Sequence, residues 1–401
     1  MEILCISNGH GEDEIGVRIC RALQKLGHSI LALPLVGEGV SYQRQGFAVL
    51  KDVTGVMPTG GFLRMDGKEL WRDVQAGLLS LTWRQFRAAW GWSRPDRLIL
   101  AVGDIVPLAF AWLCSWRGTG YVFMATAKSE YYWRDRGQRV PWGGSIFYPW
   151  ERWLMGQKSC RGVFVRDQLT ADWLRRHCRL RVNFLGNPMM DDLEPKGLTV
   201  IDQNDCWIVT ILPGSRPPEA YHNFSLLRQL AESWCRTLKT KVIFLVALAP
   251  NIDREILVTE LVNHGWQNHD RFYQENAELL LVDSFTDCLH LCHFGLAMAG
   301  TATEQLVGLG KPVFSLPGAG PQFTPTFAQD QVHLLGSAVT LLQSPADGAA
   351  ITDRILHDHD FFQNAILLGQ ERMGSPGASD RIAQMIDNCA AIPKVPYDLS
   401  D

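Results

Sequence analysis

Leu212-Pro213-Gly214-Ser215-Arg216-Pro217-Pro218 lies between an apolar run, Cys206 to Ile211, and a helical stretch that opens at Glu219. A strand, a glycine-bearing turn and a helix start bring unpaired backbone N–H groups and the positive helix end to one spot, a ready seat for a phosphate. Arg216 adds a forked cationic donor suited to phosphate oxygens. Ala299-Gly300-Thr301-Ala302-Thr303-Glu304-Gln305 repeats the arrangement after another apolar strand. Its small residues let a ligand approach the backbone, and its first-turn hydroxyls and amides suit a diphosphate. Glu304 or Gln305 is then placed to bond ribose hydroxyls. Plain capping by Thr301 or Thr303 is the alternative. Two such turns in one half of the chain favour a ligand.

The first half carries different chemistry. Ser7-Asn8-Gly9-His10-Gly11-Glu12-Asp13 follows the first strand and opens the first helix. Gly9 and Gly11 do not complete a dinucleotide fingerprint, and the acids Glu12 to Glu14 repel a phosphate. The loop is better suited to a sugar or hydroxyl, or is simply a tight turn capped by Asp13. Asp104 lies just past a buried strand, where it is either a general base with a raised pKa or the N-cap of the helix from Ile105. Cys288, His290 and Cys292 tempt a metal reading, but His290 leaves the face that the two thiols share, so no metal is expected. From Tyr131 to Leu154, aromatics alternate with arginines, including Trp133, Arg134, Trp150 and Trp153. That mixture suits the headgroup zone of a bilayer, or a partly packed crossover. No nucleic-acid-binding motif accompanies it.

The elements that must position these residues alternate strand and helix. Strands are expected at 3–7, 29–33, 97–102, 121–124, 162–165 and 182–185, with helices at 13–26, 71–90, 105–116 and 167–177 between them. The second half repeats the rhythm, with strands at 207–212, 242–247, 279–282, 294–298 and 312–316. Its helices are expected at 219–238, 252–264, 287–292, 303–309 and 328–334, and a last helix at 379–389 is placed to return to the first domain. Such alternation implies an α/β protein with parallel sheets covered on both faces. A chain of 401 residues needs two cores. The expected domains are 1–195 and 196–378, joined by a polar linker from Asp191 to Asn204, with 379–401 as a terminal helix and tail. Two doubly wound domains are expected to face a shared cleft with the carboxyl ends of their strands.

Composition narrows the class further. Residues 1–195 carry 25 Lys+Arg against 19 Asp+Glu, while residues 196–401 carry 13 against 23. A basic first half implies attraction to anionic lipid or phosphate. The ten cysteines are scattered without a C-x-x-C pair, as expected of reduced thiols in a cytoplasmic protein. Met1-Glu2-Ile3 lacks a basic leader region, and the longest apolar stretch, Leu98 to Cys114, contains Asp104 and Pro107. A soluble or peripheral protein is expected.

Leu212-Pro213-Gly214-Ser215-Arg216, Gly300-Thr301-Ala302 and Phe184-Leu185-Gly186-Asn187-Pro188 resemble signatures of the lipid-A-disaccharide synthases. Leu35-Val36-Gly37 with Gly46-Phe47, and Tyr121-Val122 followed by Tyr132-Trp133, are similar to further stretches of that family, in its order. The chain looks most like the synthase-related branch seen in cyanobacteria. The resemblance implies the GT-B glycosyltransferase fold of two Rossmann-like domains, a UDP-sugar substrate in the second domain, a lipid acceptor near the first, and no cofactor or metal. Three departures stand out: Asn187 replaces the family's His, Gln305 replaces its ribose-binding Glu, and Gly11-Glu12-Asp13-Glu14-Ile15-Gly16 replaces its first loop. The expected function is inverting transfer of a sugar from a nucleotide-diphosphate donor to a lipid or amphiphilic acceptor at the inner face of a membrane. Gly214, Ser215, Arg216, Gly300, Thr301, Thr303, Glu304 and Gln305 would hold the donor. Asp104 would be the base, with His10 its rival. Gly11, Glu12, Trp133, Arg134, Trp150 and Trp153 would face acceptor and membrane. A UDP-sugar 2-epimerase-like enzyme and a non-catalytic membrane scaffold are the alternatives.

Overall fold

The computed structural model describes residues 1–50, 78–134, 142–199, 201, 205–268, 271–320 and 323–390. Residues 71–77 of an expected helix, Asp135 and Arg136 of the aromatic stretch, linker residues 200 and 202–204 and the tail from 391 lie outside them. The chain divides into two compact units, Met1–Asp191 with Ser375–Asp401, and Asp192–Gly374.

Unit 1 begins β1 (Glu2–Ser7), α1 (His10–Lys25), β2 (Ser29–Pro34), α2 (Val40–Arg44), β3 (Ala48–Val49) and α3 (Leu78–Trp92). It continues β4 (Leu98–Gly103), α4 (Ile105–Ser115), β5 (Gly120–Ala125), α5 (Tyr131–Arg134), α6 (Pro149–Met155), β6 (Cys160–Phe164), α7 (Gln168–Cys178) and β7 (Val182–Asn183). Among the described residues these strands form one parallel sheet in the order β3-β2-β1-β4-β5-β6-β7. All six residues of β4 are buried, because both faces of a parallel sheet are covered.

Unit 2 runs β8 (Cys206–Leu212), α8 (Glu219–Cys235), β9 (Lys241–Ala247), α9 (Arg254–Asn263), β10 (Gln267–Asn268), β11 (Phe272–Gln274), β12 (Ala277–Val282) and α10 (Phe285–Leu291). Then follow β13 (Phe294–Ala297), α11 (Thr301–Gly308), β14 (Val313–Ser315), α12 (Pro325–Leu335), β15 (Val339–Leu341), α13 (Gly348–His357) and α14 (Phe361–Met373). Its sheet has the order β10-β11-β12-β9-β8-β13-β14-β15, parallel from β12 to β15 and extended by antiparallel β11 and β10. Phe224, Trp234, Phe244, Phe294 and Phe314 fill its core.

The chain then returns to unit 1 as α15 (Ala378–Ala390). Ile382, Ala383 and Ile386 are fully buried in a core shared with Ile19 and Leu23 of α1. The Asp191 carboxylate accepts the N–H groups of Gly377, Ala378 and Ser379, which fixes the start of α15 beside the end of the first segment. In unit 2, Asp287 accepts the N–H groups of Lys196, Gly197, Leu198 and Thr199 at 2.6–3.0 Å. Burial acts to raise its pKa, but the Ser284 side chain and these N–H groups prevail and hold it at about 2. Residues 196–199 of the expected linker are thereby tied to unit 2.

Each sheet has one place where the order reverses, between β1 and β4 in unit 1 and between β8 and β13 in unit 2. In doubly wound folds, ligands bind beyond the carboxyl ends of the strands at that place. The loops found there are those after Ser7, Gly103, Leu212 and Ala297.

Candidate functional site

The two loops at the switch of unit 2 are held from behind by carboxamides. Gly214 adopts φ +102, a backbone state that favours glycine. Asn223 of α8, 2% exposed, donates its amide hydrogens to the carbonyls of Pro213 (3.1 Å) and Met298 (3.3 Å). Gln331 of α12, also 2% exposed, donates to the carbonyls of Ala299 (2.9 Å) and Gly300 (3.1 Å). Met298 N–H bonds back to the Leu212 carbonyl, so the loops run side by side. Ser215 is exposed and Arg216 half-buried at the start of α8. Gly300 is the N-cap of α11 without a side-chain cap, and Thr301 is exposed.

Three expected donor-binding side chains are turned inward. Thr303 is fully buried and its hydroxyl donates to the Ala299 carbonyl at 2.7 Å. Glu304 and Gln305 are 9% and 6% exposed. At the α11 start Thr301 is exposed and Ala302 half-exposed.

At the switch of unit 1, Asp104 caps α4, accepting Val106 N–H at 2.9 Å, so the capping reading describes its geometry. The same oxygen also accepts the Asn8 amide at 2.6 Å. Gly103 adopts φ +132, and a Cβ there would overlap the Asn8 amide oxygen. Burial raises the Asp104 pKa, with the Glu151 charge adding to the rise, against Val106 N–H, the Asn8 amide and Lys128. Glu12 is raised likewise, by burial first and by the charge of Asp104, while Thr126 donates to it at 3.4 Å. Two half-buried carboxyl groups therefore lie here with raised pKa values, and the Asp104 charge adds to the rise at Glu12. A carboxylate whose pKa is raised is a stronger base toward a bound hydroxyl than an ordinary one. Lys128, ion-paired to Glu151 at 2.6 Å, supplies the cation beside them.

His10 is exposed on the first turn of α1 and lies over Gly37, where a Cβ would stand 3.2 Å from its Cε1. Gly11 is exposed with open space beside it. Asp13 does not cap α1: the N-cap is Gly9, without a side-chain bond. Instead Asp13 is buried behind the turn, accepting Ser7 Oγ at 2.6 Å, and Ser7 Oγ lies 2.9 Å from Tyr42 OH. Burial pushes its pKa up to about 7 against the Ser7 hydrogen bond. Asn187 caps the short 3-10 turn Pro188–Met190 by accepting Met189 N–H at 3.0 Å.

Among the described residues, no group of three or more His, Cys, Asp or Glu side chains could hold a metal ion. Cys288 and Cys292 are buried free thiols, while His290 Nε2 meets the Leu193 carbonyl at 2.7 Å. No described helix is long and apolar enough to cross a membrane.

The aromatic stretch is split by the fold. Trp133 is half-buried, and Arg134 pairs with Glu130 at 3.1 Å and stacks 5.1 Å above the Trp173 ring. Arg134 remains exposed while it makes these two contacts. Trp150 and Trp153 of α6 are 50% and 54% exposed, and they are joined by Trp116 and Trp142, at 66% and 73%. Trp112 links Trp116 to Trp153 at 5.3 and 5.2 Å, and Trp150 stacks on Tyr148 at 4.7 Å. Arg84, Arg87 and Arg117 are exposed on α3 and just after α4. Trp116, Asn8, Thr126, Lys128, Asn223 and Gln331 escaped sequence reading, because each matters through neighbours distant in sequence.

This architecture is that of GT-B glycosyltransferases and the related epimerases. The calicheamicin glycosyltransferase superposes with a TM-score of 0.62 at 16% identity, over 96% of this chain and 98% of that one. A putative UDP-N-acetylglucosamine 2-epimerase from Listeria monocytogenes gives 0.59 at 12%, over 96% of each. The spinosyn rhamnosyltransferase complexed with thymidine diphosphate gives 0.53 at 16%, over 96% of this chain and all of that one. No family model and no curated protein sequence matches the chain.

Proposed function

We propose that the chain is an inverting glycosyltransferase that takes a sugar from a nucleotide-diphosphate donor, UDP-linked, and delivers it to a lipid or amphiphilic acceptor. The observation that carries this reading is the pair of amide-presenting turns at Gly214–Arg216 and Gly300–Thr301, side by side at the switch of unit 2. Backbone N–H groups and Arg216 would bind the diphosphate and stabilise the charge that develops on it as the glycosidic bond breaks, the leading electrostatic contribution in such transfers. Asp104, assisted by Glu12, would take the acceptor hydroxyl proton, with His10 the rival base. Attack on the anomeric carbon from the face opposite the diphosphate inverts it.

The acceptor class rests on the tryptophan strip and exposed arginines of unit 1, which suit a headgroup layer at the inner, anionic face of a membrane. The resemblance to lipid-A-disaccharide synthases points the same way, with the unit from Met1 as acceptor domain and the unit from Asp192 as donor domain. Thermal unfolding with a panel of nucleotide sugars tests the donor. UDP or a UDP-sugar should raise the melting temperature by several degrees, and Arg216→Ala should abolish the rise. No rise with any nucleotide overturns the assignment.

The likeness to a 2-epimerase supports a second reading. Incubating UDP-N-acetylglucosamine alone separates the two: epimer formation without acceptor favours the epimerase, and product only with amphiphilic acceptor favours transfer.

A further inference from the structure

Pro213, Met298, Ala299 and Gly300 all turn their carbonyls toward two buried side chains, Asn223 and Gln331. A trans peptide sets C=O and the following N–H on opposite edges of one plane. Fixing those four carbonyls inward therefore directs the N–H groups of Gly214, Ala299, Gly300 and Thr301 outward. Among the described residues, no backbone carbonyl accepts from any of these four. Each carboxamide spends its NH2 group on two carbonyls, and its own oxygen, Asn223 Oδ1 or Gln331 Oε1, is buried without a partner among the described residues. Donation to the turns is thus the interaction each side chain makes.

We infer that Asn223 and Gln331 are positioning residues, a pair of latches that set the peptide planes of both turns and so form the amide cradle for a diphosphate. This rests on the donor-site reading of unit 2 and adds what shapes that site. The latches sit on different helices, α8 and α12, and grip both loops that flank the order reversal. Of the two latches, Asn223 spans the two loops, holding one carbonyl from each. Loss of Asn223 frees the planes after Pro213 and Met298 to rotate and replace an N–H with a carbonyl oxygen, which repels phosphate. Gln331 shares its two carbonyls with the Thr303 hydroxyl and with the N–H groups of Thr303 and Glu304, so its loss loosens planes that α11 also holds.

The test is calorimetric titration of the intact protein with inorganic pyrophosphate and with UDP. Asn223→Asp and Gln331→Glu keep shape but replace the donating NH2 with an acceptor. Each is expected to weaken both ligands at least tenfold in protein whose unliganded melting curve is still cooperative. If the unaltered protein binds neither ligand, the donor-site reading fails. If it binds and the variants bind within twofold of it, the latch is overturned while the donor site stands. Should the variants not fold, hydrogen exchange on the unaltered protein decides. Peptides covering 213–216 and 298–302 should exchange freely and be slowed at least tenfold by pyrophosphate; unslowed exchange in protein that binds pyrophosphate overturns the latch.

Discussion

Three carboxyl groups near the amino terminus do three different things because of what surrounds them. Asp104 and Glu12 are both half-buried, and the pKa of each is raised, first by burial. A base must be ionised to act, so turnover should fall on acidification at a higher pH than an ordinary aspartate would set. Asp104→Asn should lower kcat at least about 100-fold while nucleotide affinity holds; a pH–rate profile and a binding titration check both. Asp13 has no access to ligand. Its pKa rises from 3.8 to about 7, so the folded state favours the protonated form. Its contribution to stability is fully present below pH 4 and is lost as pH climbs through 7. Asp13→Asn should therefore melt higher than the parent at pH 8, by up to about 4 kcal/mol of stability, with the gap closing toward pH 4. From sequence Asp104 reads as a base or an N-cap, Glu12 as acceptor-facing and Asp13 as a cap. Their roles separate only once β4 lies beside β1, and once Tyr42, 29 positions along the chain from Asp13, closes over Ser7.

Elements were the most legible scale, and the reason is physical. Parallel strands are covered on both faces, so β1, β4, β5, β8 and β9 stand out as unbroken apolar runs. β3, β10, β11 and β15 have two or three residues each, too few to show a period. Helices α13 and α14 follow loops without strong caps, and α14 begins at a Phe361-Phe362 pair that reads equally as strand. The turns after β8 and β13 were legible because glycine and proline mark them; the latches behind them were not, since Asn223 and Gln331 are ordinary helix residues in sequence. Asp287 shows the same limit: it reads as a first-turn acid of α10, yet it anchors 196–199. Asp287→Ala should cost on the order of 1–3 kcal/mol, because four backbone N–H groups lose one charged, buried acceptor. The depressed pKa means this stabilisation is present above pH 4 and fades as pH falls through about 2. Denaturant melts at pH 7 and pH 2.5 should show the variant's deficit shrinking with acid. In α15, Ile386→Ala should cost about 2–4 kcal/mol, measured the same way, because the side chain is fully enclosed against α1.

Across the whole molecule, charge and aromatic surface fall on the same unit. The basic first half carries the strip formed by Trp116, Trp153, Trp150 and Trp142. Flotation with anionic vesicles should recover the protein, less so at high salt, and Trp150→Ser with Trp153→Ser should release it without loss of UDP binding. Equal recovery of the variant would assign the strip to another partner. The Asp191 carboxylate has one more implication. It binds residue 377 directly, so the polypeptide leaves the first compact body and re-enters it at nearly one point. Unit 2 is in effect a cassette spliced into a host. Deleting 192–374 and closing the gap with a few glycines should leave a minimal protein that folds cooperatively, whereas 1–191 alone, robbed of α15, should expose an apolar trough and aggregate.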